Sequence, residues 1–453
     1  MEENIKISAD VLQKFSPAQA WEYRLVPYEL GDKLFCFGEK TRDYNEEILE
    51  LEVIFGIPLI INKIDDDELL KLLNRFYKKN NLTKSGNGQN FLKDLVADAF
   101  LDYASDIHFE PSEQKSRIRF RIDGKLIEKY VLDNQHYASI INQVKILANL
   151  DISEKRLPQD GRIMYKNEDK KFDIRVSSLP TIYGEKLVLR LLTRHVELLD
   201  LRNLGFTQKQ MNDYIAAVNK PHGLVLISGP TGSGKSTTLY ATLRLLNKET
   251  NNILTIEDPV EYTLEGINQV QLKEDIGLTF SSALRTFLRQ DPDIIMLGEI
   301  RDSETAQMAI RSSLTGHLIL STIHTNSAYG SVFRLADMGI HPFLIANTLI
   351  LCVSQRLVRI LCPHCKKEQS NQFGVTYKAT GCEYCSYTGY KGRKAIYEII
   401  PVDEEISAAI KNSTNDIGKI MKERGITTLE DSAKQILKKG ETTIEEILPL
   451  LQS

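Results

Sequence analysis

The chain has 453 residues, 42% of them hydrophobic and 26% charged, with a formal net charge of −4. That length allows roughly two to four domains with ordinary cores, and the slight acidic excess excludes a global basic field of the kind that draws a protein onto nucleic acid. No apolar run approaches the roughly 20 residues needed to span a bilayer, and the opening Met-Glu-Glu-Asn-Ile-Lys lacks the layout of a secretory leader, so a cytoplasmic location is expected.

Residues 1–78 mix short apolar runs, at 34–37 and 53–55, with a helical stretch over 66–77. Asp66 or Asp67 is placed to cap that helix, and Leu69, Leu70, Leu72, Leu73 and Phe76 give it an apolar face. No pattern of chemistry-bearing residues appears here, and the segment reads as a small docking module. Residues 79–90 hold a single large apolar side chain, Leu82, and read as a flexible linker.

Residues 91–194 form a second candidate domain: a helix over 91–103, alternating strands at 116–122 and 171–176, and an apolar strand at 187–192. Arg117, Arg119 and Arg121 alternate and share one strand face, which reads as solvated. The run from Ser105 to Pro111 is more polar than a core strand, and its His108 reads as structural. Arg156 and Arg162 flank a turn, and Arg175 stands on a strand; by residue type alone these are surface charges. A second connection, 195–221, follows.

From 222 to 354 strand and helix patterns alternate, the signature of a parallel sheet covered on both faces. The apolar run at 223–228 leads into Gly229-Pro230-Thr231-Gly232-Ser233-Gly234-Lys235-Ser236, which fits G-x-x-x-x-G-K-[ST], and a helix follows. Glycines let successive N–H groups turn inward onto phosphate oxygens, and the helix N-terminus adds positive potential. Gly229, Pro230, Thr231, Gly232, Ser233, Gly234, Lys235, Ser236 and Thr237 are therefore the expected ATP contacts, with Lys235 on the β- and γ-phosphates and Ser236 on Mg²⁺. Three further strands end at Glu257, Gly298-Glu299 and His324. Ligands of open α/β sheets sit beyond the carboxyl ends of the strands, which places these side chains at the rim that holds the loop. Glu299 takes the role of holding Mg²⁺ and its waters, Glu257 is the candidate for polarising the attacking water with Glu261 second, and His324 is placed to sense the γ-phosphate.

Cys362-Pro-His-Cys365 and Cys382-Glu-Tyr-Cys385 stand sixteen residues apart. Two such pairs match a closed tetrahedral Cys₄ zinc site, structural because no coordination position stays open. They fall in a segment, 355–400, read as a zinc-binding insert, and residues 401–453 read as a helical end.

Together these motifs resemble the secretion ATPase superfamily, specifically the type II secretion and type IV pilus assembly ATPases. The resemblance runs from about Ala104 to the C-terminus. It rests on Ser105 to Pro111, Arg156 to Arg162, the phosphate loop, Thr255 to Tyr262, Leu288 to Asp302, Thr315 to Asn326, Gln355-Arg356-Leu357-Val358-Arg359 and the cysteine pairs. It implies a docking module, a PAS-like α+β domain, a RecA-like ATPase domain with a zinc insert, and a helical C-terminal subdomain, in a homohexameric ring. It further implies that Arg162 and Arg175 reach the phosphates from the PAS-like domain. Expected partners are inner-membrane platform and adaptor proteins of a secretion or pilus machine, with membrane association through them and no nucleic acid. The expected activity is ATP hydrolysis driving assembly of a pseudopilus or pilus; a nucleotide-gated scaffold and a DNA-translocating motor are the alternatives. Asn326-Ser327-Ala328 departs from the usual Asn-Asp-Ala, and the first module lacks the pattern that relatives use for cyclic-di-GMP. The cysteine pairs speak against the pilus retraction branch.

Overall fold

The computed structural model of the chain describes residues 7–451 apart from 8, 13, 16, 78–87, 168–169, 193–199, 372–373 and 413–416. The two connections read from sequence fall partly outside the described residues. The chain divides into two units, Met1–Thr193 with Ile360–Gly392, and Arg194–Arg359 with Arg393–Ser453. No helix among the described residues is long and apolar enough to cross a membrane.

In the first unit a three-stranded sheet pairs Leu25–Leu30 with Leu34–Glu39 antiparallel, and the latter with Leu59–Ile64 parallel. Helix Asp66–Phe76 is entered through Asp65, one residue earlier than the sequence suggested. Asp66 instead accepts from Lys40 N and Thr41 Oγ1. Of its apolar face, Leu69, Leu72 and Leu73 are buried while Leu70 is exposed. The run at 53–55 belongs to a helix, Asn45–Phe55, that buries Leu51 and leaves Val53 and Ile54 outside. Short apolar runs do not separate a strand from a half-exposed helix.

The same unit holds a six-stranded sheet in the order Lys125–Asp133, Lys115–Ile122, Ala104–Glu110, Gly184–Leu192, Lys170–Thr181, Gln159–Asn167. Every pairing in it is antiparallel. Strict alternation puts Ile107, Phe109, Ile118, Phe120, Ile174, Val176, Leu187 and Leu189 on one face, where they form a core with helices Gly88–Leu101 and Asn134–Leu147. The other face is charged. Arg117 and Arg119 both bond Glu110 (2.9 and 2.6 Å), and Arg121 pairs with Asp106 at 3.5 Å, so these arginines are partnered rather than merely solvated. His108 lies between the two carboxylates on its strand, buried, with neither ring nitrogen bonded among the described residues.

The second unit is built on a seven-stranded sheet in the order Asn268–Gln271, Ile253–Glu257, Ile294–Leu297, Leu318–Ile323, Gly223–Ser228, Leu349–Leu361, Tyr390–Pro401. The first six of these strands pair parallel. Gly223–Ser228 and Leu318–Ile323 are buried at every residue, as parallel strands covered on both faces require. Helices Lys235–Leu246, Phe280–Phe287 and Ser303–Leu314 pack against this sheet's cores. Asp302 caps the last of them, accepting from Thr305 N at 2.8 Å. The edge strand Asn268–Gln271 is polar and half-exposed, which is why its sequence gave no apolar signal. Among the described residues the helical C-terminal end has four helices, Glu404–Lys411, Ile417–Glu423, Leu429–Lys438 and Ile444–Leu451, the first capped by Asp403 and the third by Thr428.

Candidate active site

The phosphate-loop sequence joins a buried strand to the helix beginning at Lys235. Gly229 and Gly234 have φ of 148° and 88°. A Cβ at Gly229 would stand 2.6 Å from Gln355 O, and one at Gly234 2.8 Å from Gln355 Nε2. No other residue fits either position. Gln355 Oε1 accepts from Thr238 Oγ1 at 2.8 Å, and Arg356 Nη2 donates to Asn326 O at 3.0 Å. The Gln355-Arg356 pair thus braces the loop from the neighbouring strand. Behind it, buried Glu398 accepts from Ala328 N (2.8 Å) and Leu429 N (3.3 Å). That carboxylate joins the turn after His324 to a helix of the C-terminal end.

Lys235 Nζ donates to Gly229 O at 2.7 Å and Pro230 O at 3.1 Å, inside the curl of its own loop. Burial pushes its pKa down, against the charge of Glu299. Ser233 Oγ is buried and meets no hydrogen-bond partner among the described residues. A curl lined with N–H groups, an ammonium and an unsatisfied hydroxyl, closed by glycines, fits the phosphates of a nucleotide; Ser236 and Thr237 open the helix beside it.

The strand ends supply the acids. Glu299 follows Ile294–Leu297, ion-pairs with Arg301 and lies 3.2 Å from His324 Nε2. Arg301 also reaches Asp258 at 3.6 Å. Glu299, His324 and Arg301 therefore form one charged group at the rim.

Glu257, the last residue of its strand, is only 4% exposed. Its carboxylate accepts from Thr255 Oγ1 (2.6 Å), Gln269 Nε2 (3.0 Å) and Tyr240 O–H. Three donors leave it little capacity to accept from a water. Burial, together with the charge of Glu257, pushes the Tyr240 phenol up, so it remains a donor. Glu261, four residues on, is half-buried, and its carboxylate makes no hydrogen bond or ion pair among the described residues.

Arg162 and Arg175 belong to the first unit, directly opposite one another on adjacent strands. Arg175 is in turn opposite Arg190. Arg162 is mostly exposed and pairs with Asp173.

The four sulfurs of Cys362, Cys365, Cys382 and Cys385 all lie within 4.8 Å of one another, with individual separations of 3.7 and 3.8 Å. Tetrahedral ligation at the usual Zn–S length puts sulfurs about 3.8 Å apart. Cys382 N and Gly389 N each point at Cys385 Sγ at 3.2 Å, as donors to a thiolate would. The donor set and its spacing fit zinc.

A family model described as "Type II/IV secretion system protein" matches residues 81–449. The chain belongs to that family. Type II secretion system ATPase E of Vibrio cholerae is 42% identical over 444 residues, 94% of this chain and 82% of that protein. Type II secretion system protein E of Dickeya dadantii is 40% identical over 445 residues, 88% of this chain and 89% of that one. The type IV pilus assembly ATPase PilB of Thermus thermophilus is 46% identical over 377 residues, 80% of this chain but 42% of that longer protein. The Legionella pneumophila ATPase DotB shares the fold, with a TM-score of 0.62 at 21% identity over 80% of this chain and 95% of that one. So does the pilus retraction motor PilT, with a TM-score of 0.56 at 24% identity over 79% of this chain and 95% of that one.

This secretion ATPase thus has the mixed α/β fold that its motifs implied. Sequence reasoning passed over several of the side chains around the loop. Tyr240 falls on the helix after the loop and Arg301 between Glu299 and the capping Asp302, and neither is assigned a role by sequence. Gln269 lies on the strand that gave no signal. Gln355 and Arg356 were visible only as part of a motif, without a role.

Proposed function

We propose that this chain is the ATP-hydrolysing motor of a type II secretion or type IV pilus assembly machine, acting as a homohexamer at the inner face of the cytoplasmic membrane with platform and adaptor proteins as partners. The observation that carries this reading is the meeting of the phosphate loop, Glu299, Arg301 and His324 at one rim of the sheet. In it Lys235 and the loop N–H groups from Gly229 to Ser236 would hold the phosphates. Ser236 and Glu299 would hold Mg²⁺, which supplies charge neutralisation, and Thr237 would contact the nucleotide. His324, hydrogen-bonded to Glu299, would report on the γ-phosphate.

For the attacking water the geometry supports Glu261 over Glu257. A general base needs an open acceptor position. Glu257 is buried with three donors on its carboxylate, whereas Glu261 has none among the described residues. Arg162 and Arg175 would approach the phosphates when the first unit closes on the second, and hydrolysis would release them, turning chemistry into rigid-body motion. Zinc would be structural, holding Cys362, Cys365, Cys382 and Cys385.

Phosphate release by the purified full-length chain tests the reading. Turnover that Lys235→Ala and Glu299→Gln each reduce by at least about a hundredfold is expected, by analogy with the loss of one preorganised charge from a transition state. ATP binding without measurable turnover in the wild type, alone and with anionic vesicles, would overturn it in favour of a nucleotide-gated scaffold.

A further inference from the structure

The phenol of Tyr240 uses every hydrogen-bonding position it has. Its O–H donates to Glu257 Oε2, and its oxygen accepts from Glu261 N at 3.0 Å and Tyr262 N at 3.3 Å. A tyrosine hydroxyl offers one donor and two acceptor positions, and here all three are taken by one short segment. The ring is 1% exposed and meets Tyr262 edge-on, with centroids 5.3 Å apart. Tyr240 is on the helix that starts at Lys235, five residues on, so it moves with the phosphate loop.

The segment it grips is tied a second time. Gln269 Nε2 donates to both Glu257 Oε1 (3.0 Å) and Tyr262 O (2.9 Å), and its Oε1 accepts from Leu264 N at 2.7 Å. Glu257 therefore serves as the anchor between two clamps. The residue delivered by this arrangement is Glu261, whose backbone N–H is held and whose carboxylate is unbonded among the described residues.

We propose that Tyr240 is a positioning residue for hydrolysis, fixing Glu261 at a set distance from the phosphate loop through the bonds to Glu257, Glu261 N and Tyr262 N. The proposal rests on the reading of Glu261 as the group that orients the attacking water. A misplacement of about 1 Å in such a group costs on the order of a hundredfold in rate, so a single buried hydroxyl at this position has leverage on turnover. It has no leverage on ground-state binding, because the loop's own N–H groups and Lys235 are untouched by it.

The test uses the full-length chain with Mg²⁺ and ATP. Tyr240→Phe keeps the ring and removes the hydroxyl. We expect kcat to fall at least tenfold while the Kd for ATP changes less than about threefold. Glu261→Gln should lower kcat on its own, and adding Tyr240→Phe to it should lower kcat by less than about twofold more, since residues acting as one unit are not additive. If Tyr240→Phe does not fold, Gln269→Met, which removes the second clamp, is read in the same way. Wild-type kcat in Tyr240→Phe, or the same tenfold fall in the Glu261→Gln background, overturns the proposal while leaving Glu261 in place. Wild-type kcat in Glu261→Gln instead removes the reading beneath it, and the proposal with it.

Discussion

Arg162 and Arg175 stand directly opposite each other on adjacent antiparallel strands, and Arg175 stands directly opposite Arg190 on the next. Three arginines in one row across a sheet are a poor choice for stability, since like charges at facing positions destabilise by up to about 1 kcal/mol. Asp173 beside Arg162 and Asp106 beside Arg190 offset part of that cost. A row of guanidinium groups is suited to planar, bidentate recognition of phosphate.

From this row we expect Arg162→Ala and Arg175→Ala to lower phosphate release at least tenfold, equivalent to about 1.4 kcal/mol of transition-state stabilisation. The thermal midpoint of each variant should change little, because relief of a like-charge contact is set against loss of the arginine's own partners. Turnover close to wild type in both would show that the arginines are surface charges. A midpoint lowered by several degrees in both would show that they serve the fold.

Much of this molecule was legible in its sequence where one physical rule acted alone. The four central strands of the second unit are buried at every position and mostly apolar because helices cover both faces, and the phosphate loop is fixed by glycines at backbone conformations that side chains rarely adopt. The cysteine spacing likewise specified four sulfurs at bonding range. What was not legible depended on tertiary partners. Nothing in a buried helical tyrosine announces that its hydroxyl will meet Glu257, and nothing in the motif around Glu257 shows that three donors occupy its carboxylate. Arg117, Arg119 and Arg121 likewise read as a solvated face because their partners, Glu110 and Asp106, lie on a neighbouring strand.

The two glutamates of the acidic segment should separate by what their loss damages. Glu257→Gln puts an amide N–H₂ among three donors that need acceptors, so it should cost stability, on the order of 1–3 kcal/mol for a disrupted buried network, as well as turnover. Glu261→Gln touches no group bonded among the described residues and should lower turnover with the melting temperature unchanged. Parallel melts and phosphate-release assays decide it; the reverse pattern would return the water-orienting role to Glu257.

Glu110 gives the first unit a specific acid sensitivity. Burial raises its pKa, but hydrogen bonds from Arg119, Lys186 and Arg117 outweigh that and bring it from an ordinary 4.5 down to about 2. A carboxyl group depressed in the folded state binds fewer protons folded than unfolded, so its contribution is fully present above the ordinary value and is lost as the pH falls from about 4.5 through about 2. Melting profiles of the wild type should show this loss over that interval, and Glu110→Gln should flatten it while lowering stability at neutral pH. An unchanged pH profile in the variant would mean that the arginine cluster does not hold Glu110 ionised.

The cysteine cluster has consequences beyond its own residues. Ser386 and Tyr387, immediately after Cys385, have φ of 48° and 59°, a conformation that non-glycine residues adopt rarely. From there Ser386 Oγ bonds Asp102 at 3.1 Å, and the Tyr387 ring meets Phe76 edge-on with centroids 5.3 Å apart. The cluster therefore holds a strained turn that presses on two earlier segments of the same unit. Metal binding at such a site is worth on the order of 10 kcal/mol and is coupled to local folding. We expect one zinc per chain in protein purified without chelator, by metal analysis. Stripping it should raise amide hydrogen exchange across 360–392 and also in the helix Asp66–Phe76, where the Tyr387 contact would be lost. Peptides covering the phosphate loop should be unaffected, and nucleotide affinity should change less than about threefold. Cys382→Ser should reproduce the exchange pattern without chelator. Protein that lacks zinc yet protects 360–392 as fully as the untreated chain would show that the four thiols hold the turn without metal.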